Sequence, residues 1–144
     1  MNVLDCESID YLQLTLTTGV GPRTLANLLA RFESATRVLA SSPQELSEVE
    51  GVGIALSRRL RSSEFREQAL LVLDACEEHA VRLLFPWELE FPRLLRELPD
   101  PPMLLYIRGE LRSTDGLAVA IVGTRGASQY GRSQAERFAR GLAR

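Results

Sequence analysis

The sequence predicts an α/β protein whose residues 1–80 form an all-α N-terminal domain and whose residues 81–144 open a parallel sheet. Three observations predict it. Apolar residues recur at helical spacing as far as Ala80. From Val81 they gather into short runs stopped by Pro or Gly. The last of these runs enters a glycine-bearing loop ahead of an amphipathic helix.

Composition fits that class. Over 144 residues, 45% are hydrophobic and 25% charged, which excludes disordered and collagen-like chains. No apolar run approaches the ~20 residues of a spanning helix. The N-terminus lacks the basic-then-apolar pattern of a secretion signal, so a cytoplasmic setting and no membrane partner are expected. Cys6 and Cys76 form no Cys-x-x-Cys and the chain has one histidine, so neither a disulfide framework nor a metal site is read here. Both thiols are expected as small core residues. All 17 basic residues are arginine, as codon bias in a GC-rich genome would give. The net charge of −2 hides an uneven distribution: −1 over 1–63, −5 over 64–100 and +4 over 101–144. A basic end suits a polyanion.

In the helical half, Ile9, Leu12 and Leu16 have helical spacing and stop at Thr18-Gly19-Val20-Gly21-Pro22. Pro22 suits the first turn of a helix striped by Leu25, Leu28, Leu29 and Phe32. Ser34 caps a short helix to Ala40. Ser42-Pro43-Gln44-Glu45 is a capping box, from which a helix runs through Leu46 and Val49 to Gly51-Val52-Gly53. Leu56 and Leu60 mark the next helix. Ser63 opens a longer one with Phe65, Ala69, Val72, Leu73, Cys76 and Ala80 inward.

Gly19-Val20-Gly21 and Gly51-Val52-Gly53 are thus equivalent turns 32 residues apart, each between short helices. This is a helix-hairpin-helix pattern of DNA-repair and recombination proteins. Two glycines let backbone N–H groups and a helix N-terminus face a phosphate without reading sequence. The same glycines serve equally well as helix caps, so both roles stand. Candidate phosphate contacts here are Gly19, Gly21, Arg23, Gly51, Gly53 and Arg58, with Arg59 and Arg61 beside it; Glu48 and Glu50 make the second turn less hospitable.

The second half reads as strand Val81–Phe85, short helix Phe91–Leu98, strand Met103–Ile107 and a third strand Leu117–Val122, apolar on both faces. The third strand runs into Gly123-Thr124-Arg125-Gly126-Ala127-Ser128-Gln129-Tyr130-Gly131 and a helix with Ala135, Phe138, Ala139 and Leu142 inward. Strand, glycine loop and helix make the opening turn of a dinucleotide-type fold, where anions sit on the helix N-terminus. This loop is not Gly-x-Gly-x-x-Gly. Arg125 adds a guanidinium fork, which suits a phosphodiester as well as a cofactor pyrophosphate.

Three stretches together resemble the DNA-processing protein A family (DprA, also called Smf). They are Phe91-Pro92 through Pro99-Asp100-Pro101-Pro102-Met103-Leu104-Leu105-Tyr106 to Arg108-Gly109; Val119-Ala120-Ile121-Val122-Gly123-Thr124-Arg125 with Ser128, Tyr130 and Gly131; and the two Gly-Val-Gly turns. The resemblance implies a SAM-like, helix-hairpin-helix-like bundle followed by the first strands and helix of a Rossmann-like parallel sheet. It implies sequence-independent binding of single-stranded DNA and its delivery to RecA in natural transformation, without catalysis or a cofactor. Arg125 would hold a phosphate, with Gly123, Thr124, Ser128 and Tyr130 around it. The family's Rossmann-like domain and homodimer surface extend further than this chain, which on that ground reads as an N-terminal fragment.

Other residues carry weaker signals. Glu88 and Glu90 are expected on a solvated acidic face, His79 at a helix end, and Arg132, Arg137, Arg140 and Arg144 on a solvated helix face. Tyr130 suits either stacking on a base or packing over the loop. Two alternatives remain: a nucleotide phosphoribohydrolase-like enzyme on a related loop, or a protein-interaction module built on the helical half.

Overall fold

Five of the described helices begin where a side chain stands ready to hold their first amides. The computed structural model describes residues 5–112, 116 and 118–143; Leu117 and Arg144, named above, lie outside them. It divides into two compact units, Met1–Glu110 and Leu111–Arg144. The first holds α1 (Cys6–Leu16), α2 (Pro22–Phe32), α3 (Ala35–Ala40), α4 (Pro43–Ser47), α5 (Ile54–Leu60), α6 (Ser63–Glu78), β1 (Val81–Leu84), α7 (Arg93–Arg96) and β2 (Leu105–Arg108). The second holds α8 (Gln129–Leu142). Helices alone occupy the stretch from Cys6 to Glu78 and strands enter from Val81, an all-α N-terminal half followed by the start of an α/β one as predicted, although both strands belong to the first unit.

Asp5 caps α1 by accepting from the Ser8 amide at 2.8 Å, and the Ser8 hydroxyl and amide hold its carboxyl below the ordinary value. Ser34 caps α3, Ser62 caps α6, and Ser42 with Glu45 forms the complete capping box of α4. That helix stops at Ser47, two residues before Val49, because the chain must turn into the second glycine pair. Gly21 and Gly53 open α2 and α5 with no side-chain cap.

α1 lies at the centre of the first unit. Tyr11, Leu12 and Leu14 are buried along it, so its inward surface is broader than the single stripe of Ile9, Leu12 and Leu16. It packs on α3 and α6, while α2 packs on α3 and α4 on α5. Leu28, Val38, Leu46 and Leu60 fill the space between them with no measurable exposure. Two carboxylates of α1 clasp α3. Glu7 accepts from the Ala35 amide at 2.6 Å, the Thr36 amide at 3.2 Å and the Thr36 hydroxyl at 2.9 Å. Asp10, although buried, accepts from the Thr36 hydroxyl at 2.6 Å and pairs with Arg66 of α6. Such partners are what makes a buried charge tolerable.

The strands depart from the expected arrangement. β1 and β2 pair antiparallel, Val81 opposite Arg108 and Leu84 opposite Leu105, not as the start of a parallel sheet. The chain between them returns to the end of β1 that it left, with Phe91 buried on the way, whereas parallel neighbours need a crossover to the opposite end. Phe85, Trp87 and Tyr11 form an aromatic cluster where β1 leaves the sheet, with Phe85 and Trp87 stacked at 4.8 Å and Tyr11 edge-on to both. The third predicted strand is not formed among the described residues. Residues 118–122 have no sheet partner among the described residues, and Val119, Ile121 and Val122 are exposed.

Candidate nucleic-acid interface

The two glycine turns are built alike, bond for bond. Val20 N–H donates to Thr17 O at 2.9 Å, and Val52 N–H donates to Val49 O at 3.0 Å. Leu25 N–H donates to Gly21 O and Ser57 N–H to Gly53 O, both at 2.9 Å. Val20 and Val52 are buried beneath their turns. Gly19 and Gly51 have φ of +100° and +89°, the left-handed region where a side chain is strained. Gly21 and Gly53 have extended backbones, and nothing within 4 Å would meet a Cβ on either. Those two positions face open space, as close approach by a ligand backbone requires.

The fold brings the turns against each other's second helix. A Cβ on Gly19 would lie 3.4 Å from Arg59 Nη2 and 3.5 Å from Leu56 Cδ1, both on α5. One on Gly51 would lie 3.3 Å from Thr24 Oγ1 of α2. Their charges differ. Arg23 pairs with Glu50 at 3.1 Å and Arg31 with Glu48 at 3.3 Å, while Asn27 Nδ2 donates to Glu50 O at 3.1 Å. Arg61 donates to Ser41 O at 2.7 Å and Arg59 Nε to Ala55 O at 3.4 Å. Arg58 is exposed. The contact of Arg59 with the first turn and the pairing of α2 with Glu48 and Glu50 are long-range features, with no local signal in the sequence.

In the second unit, Gly123, Thr124, Arg125, Ser128 and Tyr130 lie on one exposed segment that turns at Arg125-Gly126 and enters α8. Ser128 is the N-cap: its hydroxyl accepts from the Gly131 amide at 3.2 Å, and its carbonyl accepts from Arg132 N–H at 3.0 Å. A Cβ on Gly123 would touch nothing within 4 Å. Tyr130 is 75% exposed. Along α8, Arg140 pairs with Glu136 at 3.4 Å, and Arg132 and Arg137 are exposed. Phe138 and Leu142, expected inward, are exposed as well.

Several expectations are corrected. Glu88 and Glu90 do not merely face solvent: the Glu88 carboxylate accepts from the Phe85 amide at 2.6 Å, and Glu90 pairs with Arg82 of β1. Cys6 is exposed in the first turn of α1, whereas Cys76 is buried and its thiol is pushed up by burial. His79 is the C-cap of α6, at the helix end where it was expected. Among the described residues, no group of three His, Cys, Asp or Glu side chains is placed to hold a metal ion. None of their helices is long and apolar enough to cross a membrane.

Comparison with known proteins gives a consistent set of matches. The family model of a DprA-like N-terminal HHH domain matches residues 5–60, which contain both glycine turns. The model of DNA recombination-mediator protein A matches residues 82–144, which contain the Gly123–Ser128 loop. Protein Smf of Synechocystis sp. is 32% identical over 129 residues, 87% of this chain and 32% of the relative. A DNA ligase of Pseudothermotoga lettingae is 31% identical over 64 residues, 44% of this chain and 9% of the ligase. The chain therefore spans less than a third of the length of either curated relative. No solved structure gives a significant match. With both halves matched by models of one family and most of the chain aligned to an Smf protein, the chain belongs to the DprA/Smf family.

Proposed function

We propose that this chain binds single-stranded DNA without sequence preference, through the loop of Gly123, Thr124, Arg125, Ser128 and Tyr130, as part of a protein that delivers the strand to RecA. One observation carries the reading: Arg125 stands exposed at the tip of a glycine turn leading into the capped N-terminus of a 14-residue helix. Amides at such a terminus favour anions, and a guanidinium beside them adds a two-pronged phosphate contact. Arg132 and Arg137, exposed along the same helix, add positive charge to the segment. In this reading, residues 1–80 are a helical domain and 81–144 the beginning of the DNA-processing domain. The chain works by binding in the cytoplasm, without catalysis, and the homodimer and RecA surfaces belong to the longer protein.

The test is fluorescence anisotropy with single- and double-stranded oligonucleotides of equal length across a salt series. The single strand binds more tightly, with log K falling linearly against log salt concentration. Equal binding of both forms, or affinity indifferent to salt, overturns the reading. Hydrolysis of a nucleoside monophosphate would replace it with the enzyme alternative.

A further inference from the structure

We infer that Glu48 and Glu50 close the second hairpin to phosphate and occupy the cations of α2, so that the second hairpin and the adjoining face of α2 turn DNA away. This rests on the proposal that the protein binds DNA, and it concerns which surfaces the strand avoids. The two hairpins share a backbone design but not a charge. A guanidinium, that of Arg59, lies over the first turn. The second turn is flanked by carboxylates: Glu50 immediately precedes Gly51, and Glu48 lies two residues before it.

Spacing on α2 completes the picture. Arg23, Asn27 and Arg31 recur every four residues and share one face of the helix. All three are engaged by the second hairpin, Arg23 by Glu50 at 3.1 Å, Asn27 by Glu50 O at 3.1 Å and Arg31 by Glu48 at 3.3 Å. The side chains of both ion pairs are 60–78% exposed, so the pairs add little to stability. Their consequence falls on binding. A phosphate approaching α2 meets arginines already neutralised, and at the second turn it meets carboxylates.

Replacing Glu48→Gln and Glu50→Gln together in the full chain removes both negative charges and frees both arginines. The probe is a fluorescein-labelled oligo-dT strand, read by anisotropy across a salt series. The double variant binds about fivefold tighter than the unsubstituted chain, and its salt slope steepens by roughly 1.4, at about 0.7 per phosphate newly contacted on a single strand. Adding Arg23→Ala and Arg31→Ala abolishes the gain. Glu67→Gln with Glu78→Gln, two exposed acids of α6, is the charge-matched control and changes affinity less than about twofold. A double variant that gains no more than this control overturns the inference, as does a gain that survives loss of both arginines. Arg125→Ala in the unsubstituted chain tests the DNA-binding loop separately: an unchanged affinity there overturns the loop assignment while the gain at the hairpin is still read. A gain from a chain that otherwise does not bind supports the closure and overturns the proposed binding.

Discussion

The Tyr11 hydroxyl donates to the Met103 carbonyl at 2.8 Å, joining the central helix to a residue 92 positions later, just before β2. The ring is buried and meets Phe85 and Trp87 edge-on, so bond and ring together fix the start of β2 against α1. Tyr11→Phe keeps the ring and deletes the bond. It is expected to cost about 1 kcal/mol, the usual net worth of such a hydrogen bond plus a carbonyl left short of a partner. Urea unfolding measures it, and an unchanged midpoint would mean that the packing alone holds the joint.

The same residue gives a pH signature. Burial raises the Tyr11 hydroxyl to about 12 from an ordinary value of 10.0, because the phenolate would lose its hydration. The folded state therefore holds this proton more tightly than the unfolded chain. The associated stability is complete below pH 10 and is lost as the pH rises through about 12. In an absorbance titration Tyr11 should therefore give a late ionisation step, and Tyr11→Phe should remove it. Unfolding that sets in at the same alkaline pH in both proteins would show that Tyr11 does not limit stability there.

Glycines of one motif should respond differently to the same substitution. Gly19→Ala and Gly51→Ala force a side chain into positive φ, and at Gly51 the new Cβ also crowds Thr24 Oγ1 at 3.3 Å. Each is expected to cost about 1–2 kcal/mol. Gly21→Ala and Gly53→Ala keep extended backbones and meet nothing, so each costs about 0.5 kcal/mol or less, from the weaker N-cap. Chemical unfolding of the four variants reads the split directly. Equal costs at all four would mean that the turns can rearrange.

How far the sequence reveals this molecule depends on the range of the interaction. Ser34, the Ser42–Glu45 box and Pro22 act within one helical turn, and each helix begins where its signal predicts. The two Gly-Val-Gly turns are legible for the same reason. The pairing of β1 with β2 is not: apolar runs announce strands, but direction is set by where the intervening chain returns, which here depends on Phe91 and Met103. Glu88 reads as a solvated acid until the turn after β1 brings the Phe85 amide onto it. The link between α2 and Glu48 and Glu50 likewise spans 17 and 27 residues, beyond any local pattern.

Two neighbours on the Gly123–Ser128 segment should separate binding from folding. Arg125 is exposed, so Arg125→Ala is expected to change stability by no more than about 0.5 kcal/mol. If the guanidinium meets a phosphate, the salt slope for a single strand should fall by about 0.7 and the affinity with it. Ser128→Ala acts on the helix itself. It removes the acceptor of the Gly131 amide, 3.2 Å away, and costs about 1 kcal/mol of helix stability. Hydrogen exchange should then quicken across the first turn of α8, and DNA binding should weaken only as far as that turn loosens. Anisotropy and exchange on the two variants therefore give opposite patterns: lost affinity with protected amides for Arg125→Ala, exposed amides with an unchanged salt slope for Ser128→Ala. If Arg125→Ala leaves the slope intact, the phosphate lies elsewhere. If Ser128→Ala alone changes it, the amides rather than the guanidinium carry the contact.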